Sequence, residues 1–252
     1  MLESIRSMTL AIVNEFGADS VECVLLHGSA VFNPQVNPQD LDLIVILRKQ
    51  NGSDCLRLGA IFEDFYQAIT VPIQLHLIYL SELPRHANLF SINTCGCFFV
   101  PHLRQAQVIY GSNIFEGIED PTRDNFLASL LQKVQQYTSE LRNRLCHLVD
   151  LRAADLWQVK KRTFGVLKDL LMANGVLLQS YRQIAEETLR RFPEYDESER
   201  KFLTEVMQEN HRLPQVQESS AFLQNCLRIY EKTYSLLRKQ VSKELSIDFH
   251  EP

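Results

Sequence analysis

Seven consecutive residues, Leu41-Asp42-Leu43-Ile44-Val45-Ile46-Leu47, are branched aliphatic at every position but one. A β-strand sends successive side chains to opposite faces, so a run this apolar reads as a strand buried on both. The exception is Asp42. Strand alternation puts Asp40 and Asp42 on one face and Leu41 and Leu43 on the other. Two carboxylates on one face of an apolar strand are costly unless something positive binds there. Mg²⁺ suits such a pair, because it is held by one or two carboxylates together with substrate phosphates.

Around this strand the N-terminal half alternates helical and extended patterns. Residues 2–16 place Ile5, Met8, Leu10, Ile12 and Val13 toward one side of a helix, with Gly17 as its stop. Val21 to Leu26 is a short apolar strand that runs into His27-Gly28-Ser29, where the chain must turn sharply. Residues 55–69 suit a helix, with Leu58, Ile61, Phe62, Phe65 and Ile69 apolar, and Ile73 to Tyr79 reads as a third strand. Phe98 to Val100 and Val108 to Tyr110 are candidate edge strands, interrupted by Pro101.

From Pro121 onward the spacing is helical. Leu130, Val134, Tyr137, Leu141, Leu145 and Leu148 recur three and four apart, a stripe that needs a partner helix. A second helix carries Leu156, Val159, Val166, Leu167, Leu170 and Leu171 and ends at Asn174-Gly175. Ser180 with Gln183 has the spacing of a capping box for a third, and Asp196 with Glu199 opens a fourth carrying Phe202, Leu203 and Val206. Past Pro214, Phe222, Leu223, Cys226, Leu227, Tyr230, Tyr234 and Leu237 make a long final helix. The expected fold class is α+β: a small mixed-sheet domain over residues 1–118, then an all-helical bundle over 119–252. The boundary falls near Gly117 to Pro121.

Charge narrows the choice of partner. Residues 1–118 carry 6 basic and 11 acidic side chains, and residues 119–252 carry 20 of each. Neither half has the positive body that grips a nucleic-acid backbone, so nucleic acid is not an expected partner. No stretch approaches the roughly 20 apolar residues that cross a bilayer, and the first residues, with Glu3 among them, are not expected to act as a secretory leader. The expected location is the cytoplasm, with the six cysteines as reduced thiols.

The chemistry concentrates in Leu26-His27-Gly28-Ser29 followed ten residues later by Asp40-Leu41-Asp42-Leu43. Gly28 lets backbone approach a ligand closely, and Ser29 supplies a hydroxyl and an N–H for a phosphate. This arrangement resembles the signature of the nucleotidyltransferase superfamily of DNA polymerase beta type. It is nearest to the minimal nucleotidyltransferases and their relatives with a helical C-terminal domain, such as the aminoglycoside nucleotidyltransferases. The resemblance implies that Gly28 and Ser29 hold the triphosphate and that Asp40 and Asp42 bind Mg²⁺. It also implies that a nucleoside monophosphate, AMP in the first instance, passes from ATP to a hydroxyl of a small molecule or protein. Pyrophosphate leaves. In two-domain members a Lys or Arg of the helical domain reaches the triphosphate, a role open here to Lys160 or Lys168.

One departure stands out. The family carries a third carboxylate on the next strand, whereas Ile73-Gln74-Leu75-His76-Leu77 has none. Gln74 and His76 share a face, and one of them takes that place. Loss of a general base costs typically about 10²–10⁴ in rate. Three alternatives stand: His76 serves as base or ligand, Glu63 or Asp64 from the intervening helix substitutes, or the protein is a degenerate module that binds nucleotide or a partner and catalyses nothing.

Other motifs point less far. Arg142-Asn143-Arg144-Leu145-Cys146-His147 resembles the Arg-to-His motif of HEPN ribonucleases, but a solvated helix face is the favoured reading. Cys95-Gly96-Cys97 with His102 lacks the second cluster that a zinc site needs. Gly111-Ser112-Asn113 repeats Gly-Ser without an acidic pair, and no phosphate-binding loop of the Gly-Lys-Ser/Thr type occurs.

Overall fold

The structure is a computed structural model. It describes residues 2–32, 41–66, 69, 71, 73–83, 100–146, 152–178, 180–206, 213–215 and 219–247. The chain divides into two compact units, residues 1–122 and 123–252.

The first unit is built on a four-stranded mixed sheet of order β3-β2-β1-β4, with β1 Val21–His27, β2 Leu41–Leu47, β3 Ile73–Tyr79 and β4 Gln107–Gly111. β1 runs antiparallel to both β2 and β4, while β2 and β3 are parallel. A parallel pair needs a crossover, and helix α3 (Asp54–Tyr66) provides it. Helix α1 (Leu2–Phe16) precedes the sheet, and the short α2 (Ser29–Phe32) follows β1.

Strand alternation sorts the sheet into two apolar faces. Cys23, Leu25, Ile44, Ile46 and Ile78 pack with Val100, Leu103 and Phe115 on one side. Val24, Leu26, Leu41, Leu43, Val45 and Leu47 pack with Ile5, Met8, Ile12 and Leu58 on the other. The aliphatic run on β2 is therefore buried on both faces, as its composition requires. Leu10 is the exception on α1. It is 61% exposed, because a five-residue step from Ile5 turns it to the far side of the helix.

The edge strands expected around Pro101 form in part. Val108 to Tyr110 lies within β4, but Val100 opens a short helix, α4 (Val100–Leu103), instead of a strand. Pro101 sits in its first turn, where a missing N–H costs nothing. Phe98 lies outside the described residues.

The second unit is helical: α5 Arg123–Cys146, α6 Ala153–Ala173, α7 Tyr181–Arg191, α8 Glu197–Val206 and α9 Ser220–Leu245. Its core joins Leu130, Val134 and Leu141 of α5 to Leu167 and Leu170 of α6 and Leu223, Ile229 and Leu237 of α9. Leu148, expected to extend the α5 stripe, lies outside the described residues. Several polar groups inside are tied. Tyr230 donates to the Val159 carbonyl at 3.1 Å, the Tyr195 and Thr233 hydroxyls lie 2.7 Å apart, and Lys133 Nζ meets Asp169 Oδ1 at 2.9 Å.

The helix ends follow local chemistry. Asn174-Gly175 closes α6 with Val176 N donating to Leu171 O at 2.9 Å and Gly175 N to Met172 O at 3.0 Å. Asp196 and Glu199 form a reciprocal box at α8, each carboxylate accepting the other's backbone N–H at 2.9 Å. Ser180 precedes α7 with extended backbone, yet its side chain makes no capping bond. The box expected there does not close.

Candidate functional site

One sheet face changes character along its length. On β1 the side chains of Cys23, Leu25 and His27 share that face; on β2 they are Ile46, Ile44 and Asp42; on β3, Ile78, His76 and Gln74. Most of these are core hydrophobics. The remainder, His27, Asp42, Gln74 and His76, are polar and gather at one end of the sheet. Register brings them there: His27 pairs with Asp42 across the antiparallel ladder, and Asp42 pairs with Gln74 across the parallel one. His76 follows two residues on, opposite Ile44.

At this end the ligating atoms of His27, Asp42 and His76 all lie within 4.8 Å of one another. The two imidazole rings are 6.1 Å apart between centroids and tilted by 45°. His27 and Asp42 are half-buried and His76 is exposed, so the cluster is open to solvent on one side.

Gly28 closes the other side. Its φ of +75° is left-handed, a conformation that costs glycine little. A Cβ built at this position would stand 2.2 Å from Asp42 Oδ2. The glycine is thus required twice, by its backbone angle and by the carboxylate pressed against it. Its carbonyl then accepts from Val31 N at 3.1 Å as the chain turns into α2.

The other residues singled out by sequence are distributed as follows. Ser29 is the first residue of α2. Asp40 lies outside the described residues, immediately before β2. Glu63 and Asp64 are both exposed on α3. Lys160 and Lys168 are on α6 of the second unit; both are half-buried, and burial draws the Lys160 ammonium below the usual lysine range. Cys95, Gly96, Cys97 and His147 lie outside the described residues. His102 is buried on α4, and Arg142 binds Glu231 of α9 at 2.7 Å on a solvated surface. Asn113 is a loop anchor: its amide donates to the Leu103 carbonyl at 2.8 Å, and its oxygen accepts from Phe115 N at 3.1 Å.

His27 is the residue that the sequence reading passed over. The available signal was its parity with Leu25 at the strand end, but only the pairing register sets it against Asp42.

Comparison with solved structures finds a spectinomycin adenyltransferase, AAD(9), from Enterococcus faecialis, crystallised with ATP and spectinomycin. The two superpose with a TM-score of 0.60 at 12% identity, over 94% of this chain and 98% of that one. The chain has the nucleotidyltransferase fold. A nucleotidyltransferase-like protein from Exiguobacterium sibiricum also matches, at 13% identity and a TM-score of 0.35, over 96% of this chain and 78% of that one. No protein-family profile and no curated protein matches the sequence. Among the described residues, no helix of this nucleotidyltransferase-fold chain is long and apolar enough to cross a membrane.

The fold family implies a divalent cation. Among the described residues, the donors that converge here are one carboxylate oxygen and two imidazole nitrogens, a set able to hold such an ion. On the neighbouring strand, where a third carboxylate was expected, Gln74 lies level with Asp42 and His76 two residues further along.

Proposed function

We propose that this chain is a nucleotidyltransferase that moves an NMP group, AMP first, from a cation-bound nucleoside triphosphate to a hydroxyl acceptor. The observation that carries the reading is the Asp42 carboxylate. It sits at the polar end of a sheet face, against the Gly28 backbone and beside His27 and His76. A carboxylate beside two imidazoles at the end of a strand offers donors to a cation, and a cation so placed attracts phosphates.

In this reading Gly28 and Ser29 lie along the triphosphate, and Asp42, with Asp40 beside it in sequence, holds the ion, Mg²⁺ by family likeness. Lys160 and Lys168 are the second unit's candidates for a phosphate partner. The ion supplies charge stabilisation to the phosphoryl oxygens. The acceptor oxygen forms a bond to the α-phosphorus as the bond to the bridging oxygen breaks. Pyrophosphate leaves with that electron pair, and the hydroxyl proton is lost to a base. A small hydroxylated molecule is the favoured acceptor, in line with the spectinomycin bound to the structural neighbour; a protein hydroxyl is the alternative.

Gln74 favours a second reading, in which the chain binds nucleotide and transfers nothing. An amide opposite Asp42 neither accepts a proton near neutral pH nor adds charge for a second ion. Labelled ATP with Mg²⁺ or Mn²⁺ and a panel of hydroxylated acceptors separates the two. Transfer predicts pyrophosphate release that Asp42→Asn abolishes. Nucleotide binding without pyrophosphate, for all four triphosphates and both ions, refutes transfer.

A further inference from the structure

We propose that His27, Asp42 and His76 form a three-ligand site for a first-row transition ion of the Zn²⁺ and Co²⁺ class, with coordination positions left open to solvent. The inference puts a transition ion at Asp42 in place of the Mg²⁺ of the reading above, and it rests on that reading only for the use of the ion, not for its binding.

Three observations carry it. First, the donors come from three adjacent strands and still converge within 4.8 Å. Ligand atoms around a tetrahedral ion with bonds of about 2.0–2.1 Å stand roughly 3.3 Å apart, so closing the site needs at most about 1.5 Å of side-chain movement. Second, the donor chemistry is selective. Mg²⁺ demands oxygen ligands in near-octahedral array. Imidazole nitrogen suits Zn²⁺, Co²⁺ and Ni²⁺, and a pair of imidazoles with one carboxylate is a recurrent transition-metal set. Third, the ligands are held in place from behind. Leu25, Ile44 and Ile78, each two residues along its strand from a ligand, are buried core residues, and the Gly28 backbone limits where the Asp42 carboxylate can go.

The exposed edge of His76 gives the ion a way in, and an open position there accepts water or a phosphate oxygen. Of the two roles open to His76, ligand and base, the geometry favours ligand. A nitrogen bound to metal is not available to take the acceptor's proton.

The test is a titration of metal-free full-length protein with Co²⁺, read by its visible d–d absorption, followed by displacement with Zn²⁺ against a chromophoric chelator. One equivalent should bind and should resist about a thousandfold excess of Mg²⁺. His27→Gln and His76→Gln should each weaken Co²⁺ by more than the about 10–100-fold typical of losing a ligand's supporting partner, and should change the spectrum. The exposed thiols Cys55 and Cys146 are the obvious adventitious ligands, so Cys55→Ser and Cys146→Ser should leave binding intact. Circular dichroism checks that each variant is folded.

Unchanged Co²⁺ affinity in both folded histidine variants, or loss of binding with the thiols, overturns the site. Pyrophosphate release with Mg²⁺ from a chain whose Co²⁺ affinity ignores the two imidazoles would leave transfer standing and the site refuted. Tight imidazole-dependent Co²⁺ with no transfer under any ion does the reverse.

Discussion

Replacing Gly28 with alanine separates two effects that usually travel together, backbone strain and damage to a site. The left-handed φ of +75° alone costs a residue with a Cβ about 1–3 kcal/mol. The new methyl would also stand 2.2 Å from Asp42 Oδ2 and 3.2 Å from its Cγ, where ordinary contact begins near 3.4 Å. The carboxylate must therefore withdraw by about 1 Å, a displacement that typically costs about 10²-fold in a positioned reaction. Gly17 supplies the control: its φ is +83°, and a Cβ there meets nothing within 4 Å. Gly17→Ala and Gly28→Ala should thus lose comparable stability in thermal unfolding, at about 2–4 °C per kcal/mol for a chain of this size. Only Gly28→Ala should also lose about 10²-fold in Co²⁺ affinity and in any pyrophosphate release. Equal metal affinity in the two variants would refute the claim that this glycine shapes the site.

Two further predictions concern the helical unit. Asp169 is 1% exposed and Lys133 is its close partner, so Lys133→Met strands a buried carboxylate and should cost about 3–5 kcal/mol by chemical denaturation. Burial already pushes the Asp169 carboxyl up, against the pull of Lys133 and Lys168. In the variant the loss should shrink as pH falls through the raised value, where the proton neutralises the group, and be largest above it; a loss independent of pH would contradict this. Asp155 behaves oppositely. Burial raises its carboxyl, but bonds from Arg144 and the Arg152 backbone and side chain outweigh that and hold it below the usual range. Its contribution should be complete above about pH 4 and vanish as pH falls through the depressed value, so Asp155→Asn should flatten the acid limb of stability against pH.

Much of this fold is legible locally. The β2 strand announces itself because no solvated element tolerates six branched aliphatics in seven positions, and the end of α6 follows from Asn174-Gly175 alone. Where the local signal was ambiguous, tertiary context decided. Val100 entered a short helix because Pro101 suits a first turn better than a ladder. Leu10 falls outside the buried stripe of α1 because helical geometry turns it outward.

The candidate site divides along the same line. Residue order determines that Gly28-Ser29 follows a strand, that Asp42 interrupts an apolar one, and that Gln74 and His76 share parity, because alternation is a property of a single strand. Which of these groups meet is a matter of register between strands distant in the chain, set by burial of both sheet faces at once. That pairing placed His27 against Asp42 on one side and the Gln74 amide level with it on the other. It also set the Asp42 carboxylate beside the imidazoles of His27 and His76, a juxtaposition that no single strand displays.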